Sequence, residues 1–280
     1  MNFSNLRWFL KNTLFNKKKG KRISRLPYYL HLPALIFRNT LLALKTIFKD
    51  ILPLPYNHSS DGMKTIHNTG FMNTQVFINS LKRAQKSRGS YLKPSQEIPW
   101  RIHQHIWAGS HCIKLKGDFI ECGTGRGVCM SALLKSLPNW QESGKKLWLF
   151  DTFSPFEINE EGERIDRISK DYASSYSDTV KNFSEFSNVN VIKGLLPKTL
   201  TKLTSNEIAF LHIDLNHAKA EVATLKELWP KITDGGIIIL DDYAWLGRER
   251  QYIAINKLSK ELGFSTLTTP TGQGIIIKQN

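Results

Sequence analysis

The sequence is poor in cysteine, in acidic side chains and in long apolar runs. Three cysteines in 280 residues are too few, and odd in number, for a disulfide scaffold; they fit a reducing compartment. A membrane-spanning helix needs about 20 nearly uncharged residues. The most apolar stretch, residues 26–54, is broken by Pro27, Pro33, Arg38 and Lys45, so a span is not expected. No apolar core followed by a small-residue cleavage site stands near the start, which argues against a secretory signal. Internal repeats, low-complexity tracts and a Gly-Lys-Ser/Thr phosphate loop are also missing. What remains, 41% hydrophobic and 22% charged, is the composition of a globular chain long enough to bury a core without staples.

The shortage of acids is local. Asp and Glu number 24 against 39 Lys and Arg, a net charge of +15. Residues 1–50 hold eleven basic side chains and one acid, Asp50, or +10; the remaining 230 residues hold 28 and 23, or +5. The densest cluster is Lys17, Lys18, Lys19, Lys21 and Arg22. Behind it, Phe37, Leu41, Leu44 and Phe48 recur at helical spacing. This arm reads as a helix packed on the main domain or on a second copy, behind a solvated basic tail. Peripheral contact of residues 1–54 with an anionic inner membrane face is the second reading. No aromatic–basic interleaving supports nucleic acid. The expected location is cytoplasmic.

Residues 1–97 therefore form a basic, largely helical arm and lead-in, and residues 98–280 form a domain of alternating strands and helices. Strands are expected at 117–120, 147–150, 189–192, 208–213 and 237–240, with Asp234-Gly235-Gly236 as the turn before the last of these. Helices are expected at 100–113, 128–137, 178–186, 218–229 and 249–262. Two β segments around Pro270-Thr271-Gly272 close the chain as a hairpin. That pattern predicts an α/β fold: a doubly wound, mostly parallel sheet with an antiparallel strand from the C-terminal hairpin. The polar stretch 153–176 is longer than a crossover requires and is expected to form a lid.

Chemistry concentrates at the predicted strand ends. Gly123, Gly125 and Gly127 follow the first strand and open a helix, but Val128 stands where a dinucleotide fingerprint needs its third glycine. Such a turn lets backbone approach a ligand closely. Glu121 at the strand end suits a ligand with a positive amino group, and Asp151 at the next strand end can accept from ribose hydroxyls. Together they describe an S-adenosylmethionine pocket, with Thr124 and Thr152 beside them. Asp214 ends the fourth strand and Asp241-Asp242 the fifth. Adjacent carboxylates repel unless a cation sits between them, and oxygen ligands at a partly open site suit Mg²⁺ or Ca²⁺. His217, three residues beyond Asp214, is placed to accept a hydroxyl proton. His212 lies within an apolar strand and reads as structural. His103, His105 and His111 lack metal-ligand spacing, and Cys112, Cys122 and Cys129 read as packing residues.

These residues resemble the macrocin (TylF/MycF/NovP-type) O-methyltransferase family. The likeness lies in the run from Gly117-Asp118-Phe119-Ile120 to Glu121-Cys122-Gly123, in Leu149-Phe150-Asp151-Thr152-Phe153, and in Lys193-Gly194 with Pro197 and Leu200. It continues in Leu211-His212-Ile213-Asp214, Gly235-Gly236 and Asp241-Asp242-Tyr243. The resemblance implies a Rossmann-like class I methyltransferase fold with a seven-stranded sheet. It also implies S-adenosylmethionine, Mg²⁺ on Asp214, Asp241 and Asp242, and His217 as base. Where many members carry Asp-Cys-Asp-Leu-Tyr or a similar run, this chain has Asp214-Leu215-Asn216-His217-Ala218, which departs from the pattern. The expected activity is methylation of a sugar hydroxyl on a glycan or small-molecule acceptor. A catechol-like phenol, or a membrane-associated scaffold on a degenerate methyltransferase fold, is the alternative.

Overall fold

A computed structural model describes residues 39–41, 56–89, 97–154, 157–158, 164–165 and 176–279. The chain forms two units, residues 1–55 and 56–280. Of the first, only the helical Asn39-Thr40-Leu41 is described. The expected basic cluster and amphipathic helix lie almost wholly outside the described residues, as does most of the expected lid. Among the described residues no helix is long and apolar enough to cross a membrane.

The second unit begins earlier than the expected boundary at 97/98. A hairpin of β1 (His58–Ser60) and β2 (Met63–Thr65) leads into α1 (Gln75–Arg88) and α2 (Pro99–Cys112). There follow β3 (Asp118–Cys122), α3 (Val128–Ser136), β4 (Leu147–Asp151), a short hairpin of β5 (Glu157–Ile158) and β6 (Arg164–Ile165), α4 (Tyr176–Asn182) and β7 (Val189–Lys193). The chain continues through β8 (Ile208–Ile213), α5 (Ala218–Leu228), β9 (Ile232–Leu240), α6 (Glu249–Leu262), β10 (Leu267–Thr268) and β11 (Gly274–Ile277). Residues 75–88 join the body because α1 lies on α3: the Ser87 hydroxyl donates to Ser131 Oγ at 2.8 Å, and Phe77 and Ala84 pack with Ile102 and Ala132.

Seven strands form one sheet in the order β10-β11-β9-β8-β3-β4-β7. Strands β9, β8, β3, β4 and β7 run parallel, and β11 is antiparallel to both β9 and β10. The strand order reverses at β3, so its C-terminal end, between β4 and β8, is the crevice where ligands bind in such sheets. Both faces are covered, and successive residues serve opposite faces. Ile120, Phe150, Leu211 and Ile238 pack with Leu225 and Leu228 of α5 and with Ile255 and Leu258 of α6. Phe119, Leu149, Phe210 and Ile239 face Cys112 of α2 and Met130, Leu133 and Leu134 of α3. All three cysteines are buried and free, and burial pushes the Cys112 thiol up to about 12.

The Asp234-Gly235-Gly236 turn is instead an interior part of β9. Ile208 pairs with Ile232, but Phe210 pairs with Ile237, so β9 carries an irregular bulge between them. Gly235 meets the bulge with a positive φ of 79°.

Candidate active site

Of the three glycines after β3, only one faces open space. A Cβ on Gly123 would stand 1.8 Å from the Asp214 carbonyl oxygen, and one on Gly127 would meet the Phe183 ring at 2.3 Å. Their freedom lets the turns after β3 and β8, and α4's following residues, close on one another. A Cβ on Gly125 would meet nothing within 4 Å. The Gly125 N–H donates to Asp151 Oδ2, and the Phe153 N–H to Asp151 Oδ1, each at 2.7 Å. Asp151 thus ties the glycine turn to the end of β4, and each oxygen keeps a further lone pair. Thr152 follows it, half-buried.

Glu121 is buried. Its Oε1 faces His212 Nδ1 at 3.0 Å, and its other neighbour is the buried Thr124 hydroxyl, which also favours the ionised carboxylate. Burial raises the Glu121 carboxyl, and His212 opposes that rise.

From Glu121 a line of alternating charge crosses the sheet edge. His212 Nε2 lies 3.6 Å from Asp241 Oδ1, too long for a hydrogen bond but close enough to attract. The Arg101 guanidinium of α2 donates to Asp241 Oδ2, and its Nε reaches Asp61 Oδ1 of the β1–β2 turn at 2.9 Å. The Gln273 amide donates to Asp241 Oδ1 at 2.6 Å, and the Trp245 ring lies 4.6 Å from the guanidinium carbon. Burial would lower His212, but Glu121 and Asp241 overcome it and hold the imidazolium up to about 10. Burial would likewise raise Asp241, but His212 and Arg101 outweigh it and hold the carboxyl below the ordinary range. His105, edge-on to His212 at 4.4 Å, is pushed down to about 3 by burial and by that imidazolium; its Nδ1–H donates to the Arg101 carbonyl.

The profile of the macrocin O-methyltransferase (TylF) family matches residues 108–264. The chain belongs to that family. It is 24% identical over 142 residues to a Streptomyces olivaceus tetracenomycin-C rhamnosyl 4'-O-methyltransferase, a match covering 46% of this chain and 53% of that protein. It is 26% identical over 138 residues to the demethyldecarbamoylnovobiocin O-methyltransferase of Streptomyces niveus, covering 45% and 53%. The chain thus spans about half the length of these relatives. The structure of the O-methyltransferase NovP shares the fold, with a TM-score of 0.56 at 20% identity over 64% of this chain and 80% of that one. The calicheamicin methyltransferase CalS11 does so with a TM-score of 0.52 at 14% identity over 76% and 95%. The seven-stranded class I methyltransferase sheet is therefore shared with these structures.

Family members of this kind imply a metal on the three aspartates, and the donors here do not fit one. Burial, then Asp241 and Asp242, raises the Asp214 carboxyl, so the three acids share one neighbourhood. Yet Asp241 has Arg101 on one oxygen and Gln273 on the other, and Asp242 Oδ2 is paired with Arg248 Nε at 3.2 Å. Among the described residues no three His, Cys, Asp or Glu side chains are arranged to hold a metal. The carboxylates were expected to need a cation between them, Mg²⁺ by the family resemblance; the structure pairs Asp241 with Arg101 and Asp242 with Arg248 instead.

His217 also has a different task from the one expected. Its Nδ1 accepts the Ala220 N–H at 3.1 Å and caps α5. Among the described residues, the non-glycines with left-handed backbone are Asp61, Phe153 and Asn216. All three adjoin this edge, where strained conformations tend to gather. Asn216 is held there by Arg248, which donates to its Oδ1. Sequence reasoning missed Arg101, Asp61 and Gln273, and took His212 as structural. The available signals were an arginine beside buried Ile102 and a histidine inside an apolar strand.

Proposed function

We propose that this chain is an S-adenosylmethionine-dependent O-methyltransferase acting on a hydroxyl of a sugar, in a glycan or a small-molecule glycoside. The Asp151 carboxylate, tied to the open Gly125 turn at the end of β4, carries the reading. When bound, S-adenosylmethionine supplies an electrophilic methyl group on sulfonium. Glu121, at the end of β3, would balance the ammonium of its amino-acid portion. The spare lone pairs of Asp151 accept the ribose hydroxyls, and Gly125 leaves room for backbone to approach the ligand. Asp214, at the carboxyl end of β8, receives the acceptor's hydroxyl proton. Holding the acceptor oxygen in line with the methyl group supplies much of the remaining gain. The Streptomyces olivaceus relative, named for methylating a rhamnosyl tetracenomycin, supports the sugar.

Calorimetric titration with S-adenosylmethionine tests the reading. Wild type is expected to bind, and Asp151→Ala to bind at least tenfold more weakly, about 1.4 kcal/mol. Absence of binding by the wild type would favour a scaffold. Screening sugar and phenolic acceptors with radiolabelled methyl donor then identifies the acceptor class.

A further inference from the structure

We propose that Arg101 is the resident cation of the acceptor edge, standing at Asp241 where the family resemblance places a divalent metal, so that this chain works without a metal at Asp214, Asp241 and Asp242. The first support is the completeness of the arrangement. The guanidinium donates to Asp241 and Asp61 and lies against Trp245, so it is held on three sides. The opposite oxygen of Asp241 accepts from Gln273, and His212 lies beyond it. A magnesium ion needs ligand oxygens at about 2.1 Å in near-octahedral order. A metal at Asp241 would place two positive charges beside Arg101 and His212, which already answer that carboxylate's charge.

The second support is where these groups come from. Asp214, Asp241 and Asp242 lie inside the family-matched segment 108–264. Arg101, Asp61 and Gln273 all lie outside it. The residues that take up Asp241 are thus contributed by the α2 helix, the β1–β2 hairpin and the C-terminal hairpin of this chain.

A consequence follows for the acceptor, and it rests on the methyl-transfer reading above. A metal-dependent site prefers an acceptor with two adjacent oxygens that chelate the ion. With Arg101 as the cation, a single hydroxyl suffices, and a catechol-like arrangement confers no advantage. Arg101 acts here as a positioning residue, through Asp241.

Manganese titration of the purified full chain, followed by electron paramagnetic resonance, tests the proposal without any methyl acceptor. Wild type is expected to show no Mn²⁺ binding that depends on Asp241, even at millimolar metal. Arg101→Met, of similar length and neutral, is expected to bind Mn²⁺ at least tenfold more tightly than wild type, and Arg101→Met with Asp241→Asn to lose that binding. If Arg101→Met does not fold, Asp61→Asn, which removes one anchor of the guanidinium, is expected to shift Mn²⁺ binding in the same direction. Stoichiometric Mn²⁺ binding by wild type that Asp241→Asn abolishes would overturn the proposal. So would failure of the folded variants to gain binding. Once an acceptor is found, a chelator is expected to leave the rate unchanged, and tenfold stimulation by Mg²⁺ would count against the proposal. If no acceptor is methylated, the functional reading fails while the Mn²⁺ result stands by itself.

Discussion

Replacing His212 with asparagine removes the imidazolium between Glu121 and Asp241. Burial alone would lower this histidine, yet the flanking carboxylates hold it up to about 10 against an ordinary 6.5. At about 1.36 kcal/mol per pH unit, the difference sets a ceiling of about 5 kcal/mol on its contribution to folding. Breaking a buried ion pair by removing one partner costs about 3–5 kcal/mol, so the two figures agree. The folded value lies above the unfolded one. The contribution is therefore full below pH 6.5 and is lost as pH rises from 6.5 through about 10. Glu221 acts in the same direction. Burial, then Asp242, raises it from 4.5 to about 8, so its unfavourable effect on folding grows across that interval. Urea unfolding of wild type and His212→Asn, measured from pH 6 to 10, reads both effects. Wild type is expected to lose stability steadily above pH 6.5. The variant is expected to be less stable by about 3–5 kcal/mol at pH 6.5 and to show a shallower pH dependence. A variant within about 0.5 kcal/mol of wild type, the range of ordinary surface changes, or one with the same pH slope, would refute the reasoning.

The glycine turn and the helix cap give two further tests. Gly123→Ala is expected to prevent folding or cost several kcal/mol, because its Cβ would stand 1.8 Å from the Asp214 carbonyl oxygen. Gly125→Ala, which meets no protein atom, is expected to cost only about 1–2 kcal/mol for its left-handed backbone while weakening S-adenosylmethionine binding; thermal melts and calorimetry separate the two, and equal destabilisation would contradict the assignment. His217→Asn preserves a capping side chain and is expected to keep methyl transfer within tenfold of wild type. A loss of about 10²–10⁴-fold, the size of a lost general base, would restore His217 to that role.

The architecture was legible because it rests on local regularities. The apolar runs at 147–150 and 208–213 fit strands buried on both faces, and the structure agrees within a few residues. Residues 234–236 read as a turn because Asp-Gly-Gly is a turn composition, but they lie within β9, which begins at Ile232. The glycine run signalled a ligand turn, but composition could not tell that Gly123 and Gly127 are needed by neighbouring chain segments and Gly125 alone faces open space.

Taken by itself, the sequence determined the alternating α/β order, the acids at the carboxyl ends of the strands, and the need for a cation among them. These follow from side-chain periodicity and from the position of each acid relative to its own strand. Tertiary structure decided which cation answers that need. Arg101 lies 140 residues from Asp241, His212 lies 91 from Glu121, and Gln273 lies 32 from Asp241. No local pattern encodes such pairings. They form only when the β1–β2 hairpin, α2 and the C-terminal hairpin meet at the sheet edge, where burial makes a charge without a partner more costly than ordering a distant side chain to meet it.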